Sequence, residues 1–193
     1  MKIVTSIVIS LMLAGCAGRE FVRPQSESLS LGKTSYEEIL AKYGEPRRTG
    51  TVLRNNISVK TISYSHAVAV PFSTKLSSRA LVFSFQDGVL VGYDYASSFS
   101  EDKGENDISE EKVKQLKKGD ERSRVISLFG RPGGEFIFPL VEKKGTTVMK
   151  YTFLDTYRIP FAFTTRVTQK VLSIVLDSNG IVTDITSFES KPN

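Results

Sequence analysis

The chain has 193 residues, and its 26 Lys and Arg against 21 Asp and Glu leave a net charge of +5. Hydrophobic residues make up 40% and charged residues 24%, which is typical of soluble globular proteins and excludes a disordered chain and a polytopic membrane protein. The single Cys and single His exclude an intramolecular disulfide and a closed four-ligand Cys/His zinc site, so we expect no cofactor. The basic residues form no dense stripe, so we expect no nucleic-acid partner.

Residues 1–15 have the pattern of a cleaved signal peptide, because Lys2 precedes an apolar stretch too short to cross a bilayer as a helix. The stretch ends in Leu13-Ala14-Gly15-Cys16, which resembles the lipobox of bacterial lipoproteins and contains the only cysteine. The resemblance implies cleavage before Cys16 and acylation of that cysteine, with palmitate among its lipids. Ala17, in place of an Asp, implies sorting to the periplasmic face of the outer membrane. The alternative is an ordinary signal peptide with an unrelated cysteine.

The rest of the chain contains an internal repeat. Gly44 and Gly130 are 86 residues apart, and so are Pro46 and Pro132, which places one Gly-x-Pro motif in each of two copies. In each copy the motif follows apolar residues at helical spacing, which predicts a short amphipathic helix that ends at the glycine. The predicted apolar faces are Tyr36, Ile39, Leu40 and Tyr43 in the first copy and Val125, Ile126 and Phe129 in the second, and the candidate N-caps are Thr34 or Ser35 and Asp120.

Three strands are predicted after each helix, in runs of β-branched and aromatic residues. They cover residues 59–66, 79–85 and 89–95 in the first copy and 147–153, 170–176 and 181–188 in the second. Turns at Asp87-Gly88 and Asn179-Gly180 predict hairpins between the last two strands of each copy. Alternation places one set of apolar residues on one face of each sheet, and we expect this face to pack on the helix of the same copy. The sets are Leu81, Phe83 and Phe85, and Leu172, Ile174 and Leu176.

These elements predict an α+β fold of two tandem repeats, each with one or two short helices packed on a small antiparallel sheet of about three strands. The first repeat spans residues 29–99 and the second spans residues 109–193, with an extra helix over residues 109–115 for which Ser109 is the candidate N-cap. Residues 100–108, which are polar and without periodicity, are predicted as the linker. Residues 16–28 are predicted as a tether that keeps the fold within some tens of ångströms of the membrane.

A Leu-x-x-Gly motif precedes each Gly-x-Pro helix, at residues 29–32 and 116–119. The order of a helix, Leu-x-x-Gly, a helix that ends in Gly-x-Pro, a long hairpin and a strand pair with a glycine turn resembles the SmpA/OmlA (BamE-like) family of outer-membrane lipoproteins. The clearest match lies in the second copy, from Ile108-Ser109-Glu110-Glu111 through Gly130-Arg131-Pro132 to Asp177-Ser178-Asn179-Gly180. The presence of two copies is similar to the arrangement in the β-lactamase inhibitor protein. The family resemblance implies a protein-binding accessory of the barrel-assembly machinery that performs no chemistry.

Two long connections inside the predicted sheets are the candidate contact surface. Residues 67–78 and 154–169 each contain a Pro-Phe pair, and connections of this length and apolar content are typically functional. If they project as hairpin tips, they suit a partner groove or the headgroup zone of a membrane; alternatively, they fold back and cap the sheet or the junction. The candidate contact residues are Phe72, Lys75, Arg158, Phe161, Phe163 and Arg166.

No group of residues in the sequence predicts catalysis. His66 lies in a strand pattern without a neighbouring nucleophile or orienting acid, and we interpret it as a packed or surface histidine. The pairs Glu37-Glu38 and Glu110-Glu111 lie in the first turns of predicted helices, where acidic residues interact favourably with the helix dipole. We therefore predict that the protein is not an enzyme.

Three functions remain open at this point. The first is a protein-binding lipoprotein in envelope or outer-membrane protein assembly, the second is an inhibitor that grips an enzyme across the outer sheet face, and the third is direct lipid or cell-wall binding. An inhibitor needs exposed aromatic residues on that face, where we place Tyr93 and Tyr95 of the first copy against Thr183 and Ile185 of the second. We favour the first function, because the aromatic residues are confined to one copy.

Overall fold

The computed structural model describes residues 20–25, 28–69, 76–103, 108–158 and 165–190. Within these residues, eight strands form one antiparallel sheet in which each strand pairs with its neighbours along the chain. The strands are β1 (Arg48–Arg54), β2 (Ile57–Ala69), β3 (Leu76–Gln86), β4 (Val89–Ser97), β5 (Gly134–Ile137), β6 (Thr147–Arg158), β7 (Thr165–Leu176) and β8 (Val182–Ser190). The helices are α1 (Tyr36–Tyr43), α2 (Ser100–Lys103), α3 (Glu110–Gln115) and α4 (Arg122–Phe129).

The prediction of an α+β fold with two separate small sheets is wrong. The structure is mostly β, with 50% of the described residues in strands and 18% in helices, and the described strands form a single sheet. The two halves are joined by β5, which pairs with β4 on one side and with β6 on the other. Glycines allow the close approach of β4 and β5. A Cβ atom at Gly133 would lie 2.6 Å from the carbonyl oxygen of Tyr95, and one at Gly134 would lie 2.7 Å from that of Tyr93. We call this β4–β5 pairing the seam.

The helices that precede the two Gly-x-Pro motifs are present, and α1 has the predicted cap. The hydroxyl of Ser35 accepts a hydrogen bond from the Glu38 N–H at 3.1 Å, and the Glu38 carboxylate accepts one from the Ser35 N–H at 2.6 Å. Helix α1 ends at Gly44, with φ 75°, and α4 ends at Gly130, with φ 69°. Both values lie in the region that favours glycine, so the two predicted helix stops are confirmed.

The N-cap predicted for α4 is wrong, whereas the one at the start of the extra helix is confirmed. Helix α4 follows Glu121, which makes no side-chain cap, and the Asp120 carboxylate instead accepts a hydrogen bond from the Lys117 N–H at 2.8 Å. Helix α3 follows Ser109, whose hydroxyl accepts from the Lys112 N–H at 3.4 Å. The side chain of Asp120 is thus used to shape the turn before α4 and cannot cap the helix.

The hydrophobic core has two clusters, one for each half of the sheet. Ile39 and Tyr43 of α1 belong to the first cluster, and Val125 and Phe129 of α4 belong to the second. The strand residues that alternation predicted to face the helices are buried in these clusters, namely Leu81, Phe83, Phe85, Leu172, Ile174 and Leu176. The predicted apolar faces of the strands and of α1 are therefore confirmed. The prediction for α4 is wrong in one residue, because Ile126 is exposed and Leu128 packs against the second cluster instead.

The placement of Tyr93 and Tyr95 on the outer sheet face is wrong. Both are buried in the first core cluster, and Ile185 packs against the second. A one-residue register shift in β4, opposite Ser84 and Phe85, separates these tyrosines from the regular alternation. The aromatic surface expected of an inhibitor is therefore part of the core.

Two further elements lie where no regular structure is predicted. Strand β1 is exposed along its whole length, and α2 occupies the start of the segment predicted as a linker. Among the described residues, no helix is long and apolar enough to cross a bilayer.

Candidate functional site

Two long pairs of strands flank the predicted contact residues in the sequence. Strands β2 and β3 are paired out to Ala69 and Leu76, and β6 and β7 are paired out to Arg158 and Thr165. Five of the predicted site residues lie outside the described parts of the chain, namely Cys16, Phe72, Lys75, Phe161 and Phe163. Arg158 and Arg166 belong to the backbones of β6 and β7 near the end of their hairpin. The roles assigned to all of these residues stay predictions.

A buried arginine organises the first of two polar clusters. Arg79, 6% exposed, donates hydrogen bonds to the Phe21 carbonyl oxygen at 2.7 Å and to the Glu101 carboxylate at 2.8 Å. Its Nε lies 3.6 Å from the Asp102 carboxylate, and its guanidinium carbon lies 4.0 Å from the centre of the Phe99 ring. Such partners are required, because an unpaired buried charge is strongly destabilising. The cluster joins the N-terminal segment, α2 and β3.

Asp102 is the main acceptor in this cluster. Its Oδ2 atom accepts hydrogen bonds from the Tyr95 hydroxyl at 2.7 Å and from the Ser97 hydroxyl at 2.6 Å. Burial raises the pKa of the Tyr95 phenol, and the hydrogen bond to Asp102 raises it further, so the phenol remains a donor at neutral pH. His66 stacks on Phe99 with 6.0 Å between ring centres, which agrees with its interpretation as a packed histidine.

The second polar cluster lies at the junction of the two halves. Arg122 at the start of α4 and Glu135 on β5 form an ion pair of 2.7 Å. Burial is the main cause that raises the pKa of the Tyr93 and Tyr151 phenols, and the negative charge of Glu135 raises it further. A pocket of about 350 Å³ beside the pair is lined by Leu29, Leu31, Tyr93, Arg122, Glu135, Ile137 and Thr147. Because the two charges compensate each other and the phenols stay protonated, this arrangement holds α4 on β5 and offers no activated nucleophile.

The N-terminal segment, residues 20–25, contacts both halves of the sheet. The Phe21 ring packs edge-on against Tyr64 and Tyr95, with 6.3 and 6.4 Å between ring centres. Arg23 donates hydrogen bonds to the carbonyl oxygens of residues 131 and 132, at 2.7 and 3.2 Å, in the loop between α4 and β5. Part of the stretch predicted as a tether is therefore packed on the fold.

A third feature is a groove between α3 and β8, which has no further strand beside it among the described residues. The groove has a volume of about 400 Å³, and we call it the edge groove. It is lined by the apolar residues Ile108, Val113, Val171 and Phe188 and by the polar residues Glu110, Lys114, Lys170, Ser187 and Glu189. Phe188 is 61% exposed. The charges are paired within the groove, Lys114 with Glu110 at 3.4 Å and Lys170 with Glu189 at 3.6 Å.

The sequence analysis missed the edge groove, although one signal for it was present. Ile185 packs on the core, and Phe188 lies three residues farther along the same strand, so the two side chains are on opposite faces of β8. A large aromatic residue on the face of an edge strand that points away from the core indicates a contact surface. The contribution of α3 to the groove has no such signal, because it depends on tertiary packing.

The described residues contain no group of three or more His, Cys, Asp and Glu that could hold a metal ion. No protein-family model and no curated protein matches the chain. The chain is similar to a Streptococcus mutans protein of known crystal structure that is provisionally described as a β-lactamase inhibitor protein. The similarity covers 80% of this chain and 82% of the other, with 15% sequence identity and a TM-score of 0.45. A similarity at this level assigns no function. The resemblance to the SmpA/OmlA family is not supported by a match to a family model.

Proposed function

We propose that the protein is a non-enzymatic lipoprotein of the outer membrane that binds a partner polypeptide through the edge groove. The observation that carries the proposal is Phe188, a large aromatic side chain that is 61% exposed on the edge strand β8, on the face that points away from the core. Exposed aromatic side chains of this size are typical anchors of protein–protein contacts.

The chemistry of the edge groove fits a polypeptide better than a uniformly charged ligand. Its two lysines and two glutamates balance each other, so the groove has no excess charge to attract nucleic acid or an anionic membrane. Within the described residues, β7 is the one strand that pairs with β8. The backbone of Val182, at the start of β8, is hydrogen-bonded to Gly119 and Asp120, and the backbone groups farther along the same side can pair with an added strand. An extended segment of a partner would form backbone hydrogen bonds there and place an apolar side chain against Phe188.

The anchor and the location in this proposal rest on sequence features. The lipobox at Cys16 supports acylation, and Ala17 supports the outer membrane. The SmpA/OmlA resemblance supports barrel-assembly components as partners. An envelope enzyme as the partner would instead support the inhibitor alternative.

The test is affinity purification from detergent-solubilised envelopes after brief crosslinking in cells. It compares the wild type with Phe188→Ser and with Leu53→Ser, a matched control on β1 at the opposite edge of the sheet, where Leu53 is 67% exposed. We expect Phe188→Ser to lose the partner and Leu53→Ser to retain it. Equal recovery by both variants contradicts the role of the edge groove, and a wild type that recovers no protein contradicts the proposed function.

The anchor is tested separately by Cys16→Ser. We expect this variant to move from the outer-membrane fraction to the soluble periplasmic fraction, because a stable anchor needs the acyl chains. Retention of Cys16→Ser in the membrane fraction would contradict lipid anchoring.

A further inference from the structure

The packing of the N-terminal segment leaves little free chain between the fold and the proposed lipid. Phe21 is held by the hydrogen bond from Arg79, and Arg23 is held by two carbonyl oxygens of the loop between α4 and β5. Cys16 is four residues from Glu20, and four residues span at most about 14 Å when fully extended. A free tether that extended to Ser28 would instead reach about 40 Å.

The surface next to this short connection has the composition of a membrane contact. Val22 is 73% exposed, although residues on both sides of it are bound to the fold. Lys42 at the end of α1 lines a pocket of about 390 Å³ together with the N-terminal segment. Its ammonium group donates a hydrogen bond to the neutral hydroxyl of Ser28 at 2.8 Å, a contact that brings no opposite charge. An aliphatic side chain beside a lysine suits the boundary between acyl chains and headgroups.

We propose that the mature protein lies directly on the bilayer that holds its lipid, with Val22 and Lys42 in contact with the headgroup layer. This inference rests on the acylation of Cys16 in the proposed function. The acidic residue of the same pocket, Glu20, is outweighed there by Arg23 and Lys42, so the surface does not repel anionic lipid. The edge groove shares no residue with this surface and stays available to a partner.

Single tryptophans test the proposal, because the chain has no Trp of its own. Val22→Trp is the probe, and Leu53→Trp and Phe188→Trp are controls at other exposed apolar positions. The protein from residue 16 onward is coupled through Cys16, its only thiol, to a maleimide-bearing phospholipid. The vesicles contain phosphatidylethanolamine, phosphatidylglycerol and nitroxide-labelled lipids as quenchers. We expect the Val22→Trp emission to shift to shorter wavelength and to be quenched several-fold more strongly than that of either control.

A second probe tests whether packing of the N-terminal segment causes the contact. Lys42→Trp places the fluorophore on α1, outside the segment, and the double substitution Phe21→Ala/Arg23→Ala removes the contacts that hold the segment. We expect the quenching of Lys42→Trp to fall to the level of the controls in the triple variant, because the free tether becomes longer.

Two results would overturn the inference. One is quenching of Val22→Trp no stronger than that of Phe188→Trp, and the other is quenching of Lys42→Trp that the double substitution leaves unchanged. The chemical coupling at Cys16 makes both measurements independent of processing in cells. A failure of acylation, and with it of the proposed anchor, is seen separately as the absence of lipid mass on the protein purified from envelopes.

Discussion

At the scale of single residues, Arg79 shows how much one buried cation can contribute to stability. Arg79→Met removes the hydrogen bonds to Phe21 and Glu101 and leaves Asp102, whose side chain is 15% exposed, without its cation. We expect the free energy of unfolding to fall by about 3 kcal/mol, measured by urea unfolding with circular dichroism. The control Lys114→Met breaks an exposed pair on α3 and should cost less than about 0.5 kcal/mol. Similar losses in both variants would contradict this account.

The buried tyrosines predict how stability depends on pH at the alkaline end. Burial raises the pKa of Tyr43 to about 12 and raises the pKa values of Tyr93, Tyr95 and Tyr151. Unfolded tyrosine ionises near pH 10, so the folded chain keeps protons that the unfolded chain releases. Stability is therefore fully present below about pH 10 and falls as the pH rises towards the folded pKa values.

The variant Tyr43→Phe tests this pH dependence. Its free energy of unfolding should fall less steeply than that of the wild type above about pH 10, by at most about 1.4 kcal/mol per pH unit. Urea unfolding at a series of pH values measures the difference. Parallel curves across the alkaline range would show that Tyr43 titrates alike in the folded and unfolded chain.

At the scale of elements, the seam between β4 and β5 is a place where an added methyl group should destabilise the fold. Gly133→Ala brings a Cβ atom to 2.6 Å from the Tyr95 carbonyl oxygen, which is backbone and cannot rotate away. We expect a loss of about 2 kcal/mol in the free energy of unfolding. Gly50→Ala on β1 is the control, since its nearest atom is the Thr61 hydroxyl at 3.3 Å. An equal loss in the free energy of unfolding for Gly133→Ala and Gly50→Ala would contradict the close approach of the two strands.

The elements that could be predicted from the sequence are those with a regular period or a specific stop signal. The helices that end at Gly44 and Gly130 and the hairpins at Gly88 and Gly180 have such signals. The seam has none, because β5 is four residues long and begins in a Gly-Gly pair that is typical of a loop. The sequence prediction divides the sheet in two because it lacks β5, the described strand that pairs with both β4 and β6.

The candidate site could be predicted less well than the fold. Periodicity identifies which face of a strand is buried, but it does not show which elements lie beside an exposed residue such as Phe188. The same limit applies to the N-terminal segment. Arg23 lies in a polar stretch without periodicity, and its two acceptors are backbone oxygens more than one hundred residues away.

At the scale of the whole molecule, the N-terminal segment should couple the two halves of the sheet. Each half has its own core cluster, and the seam between them consists of three residue pairs. Loss of the Arg23 hydrogen bonds to residues 131 and 132 should therefore weaken the coupling of the halves as well as their stability. We expect Arg23→Ala, in a Cys16→Ser background, to lower the free energy of unfolding by about 2 kcal/mol.

Calorimetry measures this coupling. The ratio of van't Hoff to calorimetric enthalpy should fall in Arg23→Ala, because the halves begin to unfold separately. Val22→Ala is the control within the same segment, since Val22 is largely exposed, and it should leave both the stability and the ratio unchanged. An unchanged ratio in Arg23→Ala would show that the seam is sufficient to couple the halves.

The order of the strands also bears on when each part of the chain acquires its structure. Strands that are neighbours in the chain pair with each other, so their hairpins close over short loops. The acceptors of Arg23 lie 108 and 109 residues farther along the chain, so its hydrogen bonds can form only after a much longer loop has closed. We expect the N-terminal segment to become protected from hydrogen exchange after the hairpins of the first half, which pulse labelling during refolding can measure. For the proposed acylation of Cys16, this order would leave residues 20–25 unpacked until the loop between α4 and β5 has formed, so that a modifying enzyme could act before the N-terminal segment packs on the fold.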